Sequence, residues 1–289
     1  MRVIIELLKA ILFGIVEGVT EWLPVSSTGH MILLDEFVKL QVSPEFYEMF
    51  QVVIQLGAIM AVVLLFWTKL NPIGAVEAAI CKASGRKVDK PEKNTVLQLW
   101  LKVIVAVIPS AILGLLLDDW MDAHLYNYVV VAIALIVYGV AFLFAERRKV
   151  EKKFRSVYDI DYRTALLIGA FQCLSLIPGT SRSGSTILGA ILLGVSRSAG
   201  AEFSFFLAIP TMLGASLLKT VKFMASGVSA TGTEIGVLII GCIVSFIVSL
   251  VVIRGLMDYV RKHNFSMFGL YRIGLGVLVL LYFLIKSLF

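Results

Sequence analysis

Eight apolar blocks run through this sequence, at about 3–35, 48–67, 98–117, 127–146, 163–195, 202–224, 233–254 and 268–286, and they leave little freedom in the fold. About 20 apolar residues at 1.5 Å rise per residue cross the hydrocarbon of a bilayer, so blocks of this length predict membrane-spanning helices. Six have ordinary spanning length. The first and fifth run to about 33 residues, and each is broken near its centre by Pro, Gly, Ser and Thr, as LPVSSTGH and LIPGTSRSGST. Such a broken block predicts a re-entrant helix–loop–helix hairpin. Exposed backbone at that depth is tolerated only where protein or a water-filled cavity surrounds it.

Composition agrees with this reading. Only 16% of the 289 residues are charged and 59% are hydrophobic, whereas a soluble domain carries about a quarter charged residues. No cleavable signal peptide is expected, since the first apolar run continues into the polar cluster without a small-residue cleavage site. The net charge of +6 reads as topology rather than nucleic-acid binding. Fifteen Lys/Arg fall in the connections 68–97, 147–162 and 254–263, against one in 36–47, 118–126 and 225–232 together. Positive-inside sorting then places the first three connections in the cytoplasm. Cys81, Cys173 and Cys242 lie far apart without CxxC or Cys/His spacing, so neither a disulfide framework nor a zinc site is expected.

The chain also repeats itself. AILFGIVEGVTEWLP at 10–24 lines up loosely with ALLIGAFQCLSLIP at 165–178, and EFYEMFQVVIQLGA at 45–58 with EFSFFLAIPTMLGA at 202–215, an offset of about 155 residues. Each half then holds one hairpin and three spans. Three is odd, so tandem halves must lie in opposite orientations, an architecture known from transporters. The expected fold is an all-α polytopic membrane protein with an inverted-topology repeat, each half a re-entrant helix hairpin plus three transmembrane helices. It forms a single integral membrane domain over 1–289, with repeat halves about 1–150 and 151–289. The first hairpin dips in from outside and the second from the cytoplasm, their tips meeting near mid-membrane.

Polar chemistry concentrates at the two breaks. Glu17 and Glu21 are spaced i, i+4 and share a helix face. Ionisable residues inside a membrane mark function by default, and two adjacent carboxylates suit a general base or a divalent cation held between them. Ser26, Ser27 and Thr28 follow, one of them suited to capping the returning helix, with His30 three residues after Ser27. A hydroxyl, a nearby base and an orienting carboxylate make the ordinary pattern of an activated nucleophile. At the second break, Gly179, Thr180, Ser181, Ser183 and Thr186 surround a turn and a helix start where backbone N–H groups converge on an anion. Arg182 is the one cation in the deep part of either hairpin, and its planar fork matches phosphate oxygens. Glu17 aligns with Gln172 and Glu21 with Leu176, so one hairpin carries the acids and the other the arginine. Together they read as two halves of a phosphate-handling site. Gln51 and Gln55 are secondary candidates for lining the cavity. Glu45, Glu48 and Glu202 read as helix-start acids favoured by the dipole, and His124 and His263 as solvated loop residues.

EGVTEWLPVSSTGH at 17–30 together with PGTSRSGST at 178–186 resembles the undecaprenyl-diphosphatase family, also called the bacitracin-resistance phosphatase family, and the likeness covers essentially the whole chain. The resemblance implies hydrolysis of undecaprenyl diphosphate to undecaprenyl phosphate and inorganic phosphate, which recycles the lipid carrier for cell-wall synthesis and confers bacitracin resistance. It also implies action at the outer face of the bacterial plasma (inner) membrane and dependence on a divalent cation, Mg²⁺ or Ca²⁺, for which Glu17 and Glu21 are the candidate ligands. Cleaving a phosphoanhydride needs neutralised charge, an in-line nucleophile and a managed proton. Ser27 is the candidate nucleophile or water positioner, and Glu21 with His30 the proton handler. Arg182, with Ser181, Ser183 and Thr186, is the candidate grip on the terminal phosphate, flanked by Ser26, Thr28, Gly179 and Thr180. The expected partners are polyprenyl diphosphate and membrane lipid, with a homodimer as one assembly to consider and no nucleic acid. A lipid-phosphate flippase using the same anion site is the alternative, because broken helices meeting at the midplane are also a transporter device; a hydroxyl–imidazole pair is surplus to pure transport. The type-2 phosphatidate phosphatases are excluded, since SRSGSTILGAILLG lacks the histidine and aspartate that their pattern requires.

Overall fold

The computed structural model describes residues 2–71, 93–148 and 150–288, so Cys81 and most of the basic connection at 68–97 lie outside the described residues. Within them the chain is helical nearly throughout: α1 (Arg2–Thr20), α2 (Ser27–Phe37), α3 (Pro44–Val53), α4 (Gln55–Leu65), α5 (Lys93–Leu125), α6 (Tyr128–Arg147), α7 (Tyr162–Cys173), α8 (Arg182–Leu192), α9 (Arg197–Ala225), α10 (Gly232–Lys262) and α11 (Ser266–Leu288). Six segments are long and apolar enough to cross a membrane: α3 with α4, then α5, α6, α9, α10 and α11. This is a multi-pass membrane protein, and each segment falls on a block expected from the sequence.

Two spans outrun their blocks. α5 continues to Leu125 and α10 to Lys262, because hydropathy marks where lipid ends and not where helical hydrogen bonding stops. The connection expected at 118–126 is therefore mostly helix, and its Asp119 accepts a 2.6 Å bond from Lys222 Nζ at the end of α9. The helix-start readings of Glu48 and Glu202 are corrected as well: α3 begins at Pro44 with only Glu45 in its first turn. α9 begins at Arg197 under the N-cap Ser196, which puts Glu202 in the second turn, where it takes Lys69 Nζ at 2.7 Å.

Polar cross-links sort the connections into two ends. At the basic end Glu146 binds Arg197 Nε through both oxygens at 3.0 and 3.1 Å, and accepts the Phe265 N–H at 3.0 Å. Lys102 Nζ donates to Tyr158 O at 2.9 Å, and Asp161 caps α7 through Thr164 N at 2.7 Å. That bond stabilises the ionised carboxylate and holds Asp161 below its ordinary pKa. At the opposite end Glu6 accepts from Gln41 N at 2.8 Å, and Glu234 accepts from Ser43 N at 2.8 Å while closing a capping box with Thr231. Lys286 of α11 bonds Glu36 of α2 at the same end. Among the described residues, the basic connections at 147–162 and 254–263 thus share one end.

Each broken block is two helices. α1 and α2 part over 21–26, and α7 and α8 over 174–181. Both returning helices are capped by a serine at φ 72, Ser26 and Ser181, a region few non-glycine residues occupy. Their hydroxyls accept from Gly29 N at 3.2 Å and Gly184 N at 3.1 Å. α1 lies along α10, α7 along α5 and α11 along α6, while α9 runs among α3, α4, α5 and α8. Gly14 and Gly18 set the first of these contacts, since a Cβ there would sit 2.8 Å from the carbonyl oxygens of Gly241 and Ser245. Such a small-residue face lets two backbones dock directly. It also fixes the rotation of α1, and with it the direction in which Glu17 and Glu21 point.

Candidate active site

The two breaks meet. Glu21, the first residue of the first break, is buried and uses both carboxylate oxygens. Oε2 accepts the Ser27 hydroxyl at 2.7 Å. Oε1 accepts Arg182 Nε at 3.3 Å and Nη2 at 3.2 Å. Arg182 opens α8, and its remaining Nη1 donates to Ser204 O on α9 at 2.8 Å. The guanidinium also stands 5.8 Å from the ring centroid of the fully buried Trp22. Acid, hydroxyl and arginine, 161 residues apart at the extreme, therefore share one buried cluster. A carboxylate at 2.7 Å from a serine hydroxyl has the geometry of a general base beside a nucleophile.

Glu17 lies one helical turn before Glu21 and is 1% exposed, yet its Oε1 has no hydrogen-bond partner. An ionised oxygen in that state is costly unless a ligand, a water or a cation meets it. Its counterpart Gln172 is satisfied on one side, with Nε2 donating to Ser110 Oγ at 2.7 Å and Thr211 Oγ1 at 3.2 Å. Among the described residues no group of three or more His, Cys, Asp and Glu is arranged to hold a metal alone.

The remaining expected residues are present but more occupied than the motifs suggest. Ser183 Oγ donates to the Glu21 and Leu23 carbonyls of the other hairpin, at 2.9 and 3.2 Å. Thr186 Oγ1 bonds Arg182 O at 2.9 Å and Ser204 Oγ at 2.6 Å. Ser26 and Ser181 are consumed as caps, and Thr28 is half-buried. His30 turns away from Ser27. Its Nδ1 meets Ser26 O at 2.7 Å and its Nε2 meets Tyr271 Oη at 2.7 Å, with the two rings parallel. A carbonyl only accepts, so the proton sits on Nδ1 and the tyrosine hydroxyl donates to Nε2. Gln51 lines a cavity of about 310 Å³ with Glu48, Tyr126, Ser175, Pro178 and Lys219; Gln55 is not part of that lining. His124 and His263 are exposed and stacked on Trp120 and Tyr259.

One site residue escaped the sequence reading. Arg272, in the apolar run of α11, is 0% exposed. Its Nη1 donates to Pro24 O at 3.2 Å, and its Nη2 to Gly179 O at 2.9 Å and Thr180 O at 2.8 Å. It ties both breaks to one guanidinium, beneath the face of Tyr138 at 5.5 Å. The available signal was a cation deep within an apolar span whose other cation, Lys286, lies at its end, and by the membrane rule such a residue marks function. Ser204, the second anchor of Arg182, gave no comparable signal, being one hydroxyl in an apolar helix.

Comparison with known proteins gives a consistent picture. The family model described as bacitracin resistance protein BacA matches residues 10–278. A relative named undecaprenyl-diphosphatase from Lactiplantibacillus plantarum is 56% identical over 281 residues, covering 96% of this chain and 98% of its own length. Another of that name from Streptococcus mutans serotype c is 52% identical over 287 residues, covering 98% of each chain. A third, from Limosilactobacillus fermentum, is 55% identical over 281 residues, covering 96% and 98%.

Proposed function

The chain belongs to the bacitracin resistance protein BacA family, and on that premise we propose that it is an undecaprenyl-diphosphatase, releasing inorganic phosphate from undecaprenyl diphosphate. The product, undecaprenyl phosphate, is the lipid carrier returned to cell-wall synthesis, and its resupply underlies resistance to bacitracin. The observation that carries the reading is the buried Ser27–Glu21–Arg182 cluster, with a 2.7 Å hydroxyl–carboxylate bond beside an arginine fork.

Ser27 Oγ attacks the terminal phosphorus, forming an Oγ–P bond as the bridging P–O bond breaks and undecaprenyl phosphate departs. The hydroxyl proton passes to Glu21 Oε2 and from there to solvent. Water then attacks the phosphorus; Glu21 takes a proton from it and returns one to Ser27 as inorganic phosphate leaves. Arg182 supplies the grip. In the resting site it is shared between Glu21 and Ser204 O; once Glu21 is protonated its hold weakens, and the fork turns to the charge gathering on the phosphoryl oxygens. His30 locks the Ser26 carbonyl next to the nucleophile, which leaves proton transfer to Glu21. Ser183 and Arg272 keep the two breaks in register.

The orphaned Glu17 oxygen fits a divalent cation, which Glu17 would hold with the Glu21 carboxylate one helical turn away beside it. Bound there, Mg²⁺ or Ca²⁺ would neutralise diphosphate charge. The architecture in this reading is an inverted repeat of two re-entrant hairpins. Supporting it are the caps Ser26 and Ser181, 155 residues apart with the same φ and a glycine at the third helical position of each. In each hairpin the chain entering and the chain leaving also meet at one end, where Gln41 N donates to Glu6 and Lys9 Nζ to Lys39 O in the first, and Lys153 N to Gly194 O and Ser196 N to Phe154 O in the second. With the basic end cytoplasmic, the cavity lined by Glu48, Tyr126, Ser175, Pro178 and Lys219 would lie on the outer side.

The test is phosphate release from undecaprenyl diphosphate by purified protein in detergent, wild type beside Ser27→Ala, with Mg²⁺ and with EDTA. Turnover by the wild type and its loss in a folded Ser27→Ala is the expected result. A folded wild type that releases no phosphate with metal supplied would overturn the reading.

A further inference from the structure

Beyond the tip of the first hairpin lies a second cavity that the chemistry above leaves unused. α10 is held by α1 and α4, and α11 by α6, with the hairpin tip standing between them. Ser249 of α10 reaches Gly18 O at 3.4 Å, and Arg272 of α11 reaches Pro24 O at 3.2 Å. Toward the basic end, α10 and α11 leave a groove of about 400 Å³ lined by Leu23, Val252, Gly255, Leu256, Met267 and Phe268, with Tyr259 at its far end. Apart from the Tyr259 hydroxyl, none of these side chains carries a hydrogen-bonding oxygen or nitrogen. From Val252 to Tyr259 is about two turns of helix, or ~10 Å.

Gly255 opens one wall. A Cβ at this position would meet nothing within 4 Å, so this glycine serves no close packing contact of its own and leaves space in front of it. Leu23 belongs to both compartments: its carbonyl accepts the Ser183 hydroxyl inside the polar cluster, and the same residue lines the groove. The apolar groove therefore begins where the polar site ends.

A diphosphate held at Ser27 and Arg182 is covalently joined to an isoprenoid chain, and that chain needs an apolar route away from the tip. We propose that the α10–α11 groove seats the first isoprene units of the lipid substrate, a specificity site for the chain proximal to the diphosphate. The assignment rests on the undecaprenyl-diphosphatase reading. It sends headgroup and chain from the hairpin tip in opposite directions, phosphate toward the polar cavity and chain toward the basic end. A membrane acyl chain is the other occupant that such a groove would accept.

Filling the groove separates these cases. Gly255→Phe projects a ring into open space, so it adds bulk without a backbone clash; Gly255→Leu is a smaller filler, and Gly255→Ala leaves the groove open. Each is assayed for kcat and KM with farnesyl and undecaprenyl diphosphate, alongside thermal unfolding in detergent. Carbons kept out of the groove return to detergent or lipid rather than to water, so what they lose is close packing and not a transfer from water; displacing a few of them should raise KM about five- to tenfold. The expected result is that rise for both substrates in Gly255→Phe, a smaller one in Gly255→Leu and none in Gly255→Ala, with kcat and melting unchanged. Wild-type KM in folded Gly255→Phe and Gly255→Leu would overturn the proposal and leave the groove to membrane lipid. A rise confined to the longer chain would overturn the proximal assignment, and a fall in kcat would show damage to the polar site instead. A wild type inert toward both substrates refutes the enzymatic reading itself, which keeps the two failures distinct.

Discussion

Replacing Arg272 tests how the active cluster is held together. This guanidinium makes no bond to Ser27, Glu21 or Arg182, but it serves three buried carbonyls, Pro24 O on one hairpin and Gly179 O and Thr180 O on the other. A buried carbonyl stripped of its donor costs about 1–3 kcal/mol, so Arg272→Met should lose roughly 3–6 kcal/mol once some relaxation is allowed. Arg272→Lys keeps the charge but not the fork. One ammonium on a flexible stem cannot span both hairpins, so the Pro24 bond goes and about 1–3 kcal/mol with it. The kinetic effect should be larger than the loss of stability suggests. Pro24 lies three residues before Ser27, and a shift of about 1 Å in a reacting group can cost roughly 100-fold in rate. We therefore expect Arg272→Lys to fold with a lowered melting temperature, a KM close to wild type and a kcat down about 100-fold. The measurement is thermal unfolding in detergent beside steady-state phosphate release. Wild-type kcat and melting in Arg272→Lys would show that the two breaks register without this residue, and the reasoning would fail.

Arg182→Lys should lower kcat/KM about 100-fold or more, since a point charge cannot replace the fork shared by Glu21 and the phosphate; turnover near wild type would remove Arg182 from the grip. Glu17→Gln should raise the Mg²⁺ concentration for half-maximal activity by about tenfold or more, read by titrating metal into EDTA-stripped protein, and an unchanged requirement would take Glu17 out of the cation site. Gly18→Ala places a methyl 2.8 Å from Ser245 O and should cost about 1–3 kcal/mol through overpacking; an unshifted unfolding curve would mean that α1 and α10 part freely. Asp161→Ala removes only the α7 cap and should cost about 1 kcal/mol with turnover intact at 25 °C, so a loss of activity would reveal an unrecognised link from the basic end to the site.

What could be read from the sequence was whatever depends on local pattern. Apolar length located the spans, and Pro24 and Pro178 beside their serines located the breaks, because proline and glycine interrupt helices wherever they occur. The juxtaposition of Glu21 with Arg182 followed from the repeat, which said which hairpin lacked an acid and which lacked an arginine. Three features resisted. The direction of His30 depends on Tyr271, 241 residues away, and nothing in SSTGH announces that partner. Glu202 looked like a helix-start acid because the apolar block starts there, whereas the helix starts at Arg197, where charge and hydropathy give no cue. Arg272 was visible as an oddity, but its purpose was not: its ligands are backbone carbonyls, which have no residue identity for a sequence to display.

The same carbonyl ties bear on whether this molecule could carry lipid across the bilayer. Ser183 and Arg272 together reach five backbone carbonyls of the two breaks: Glu21 O and Leu23 O share the single Ser183 hydroxyl proton, and Pro24 O, Gly179 O and Thr180 O take the Arg272 guanidinium. Alternating access in repeat-built transporters works by rocking one element against the other about a fixed site. Here such rocking would have to shear the Ser183 contacts and one side of the Arg272 clamp within a buried cluster, at about 1–3 kcal/mol for each carbonyl left bare. The two breaks are pinned together rather than hinged, a build that suits an enzyme acting on a substrate brought to it.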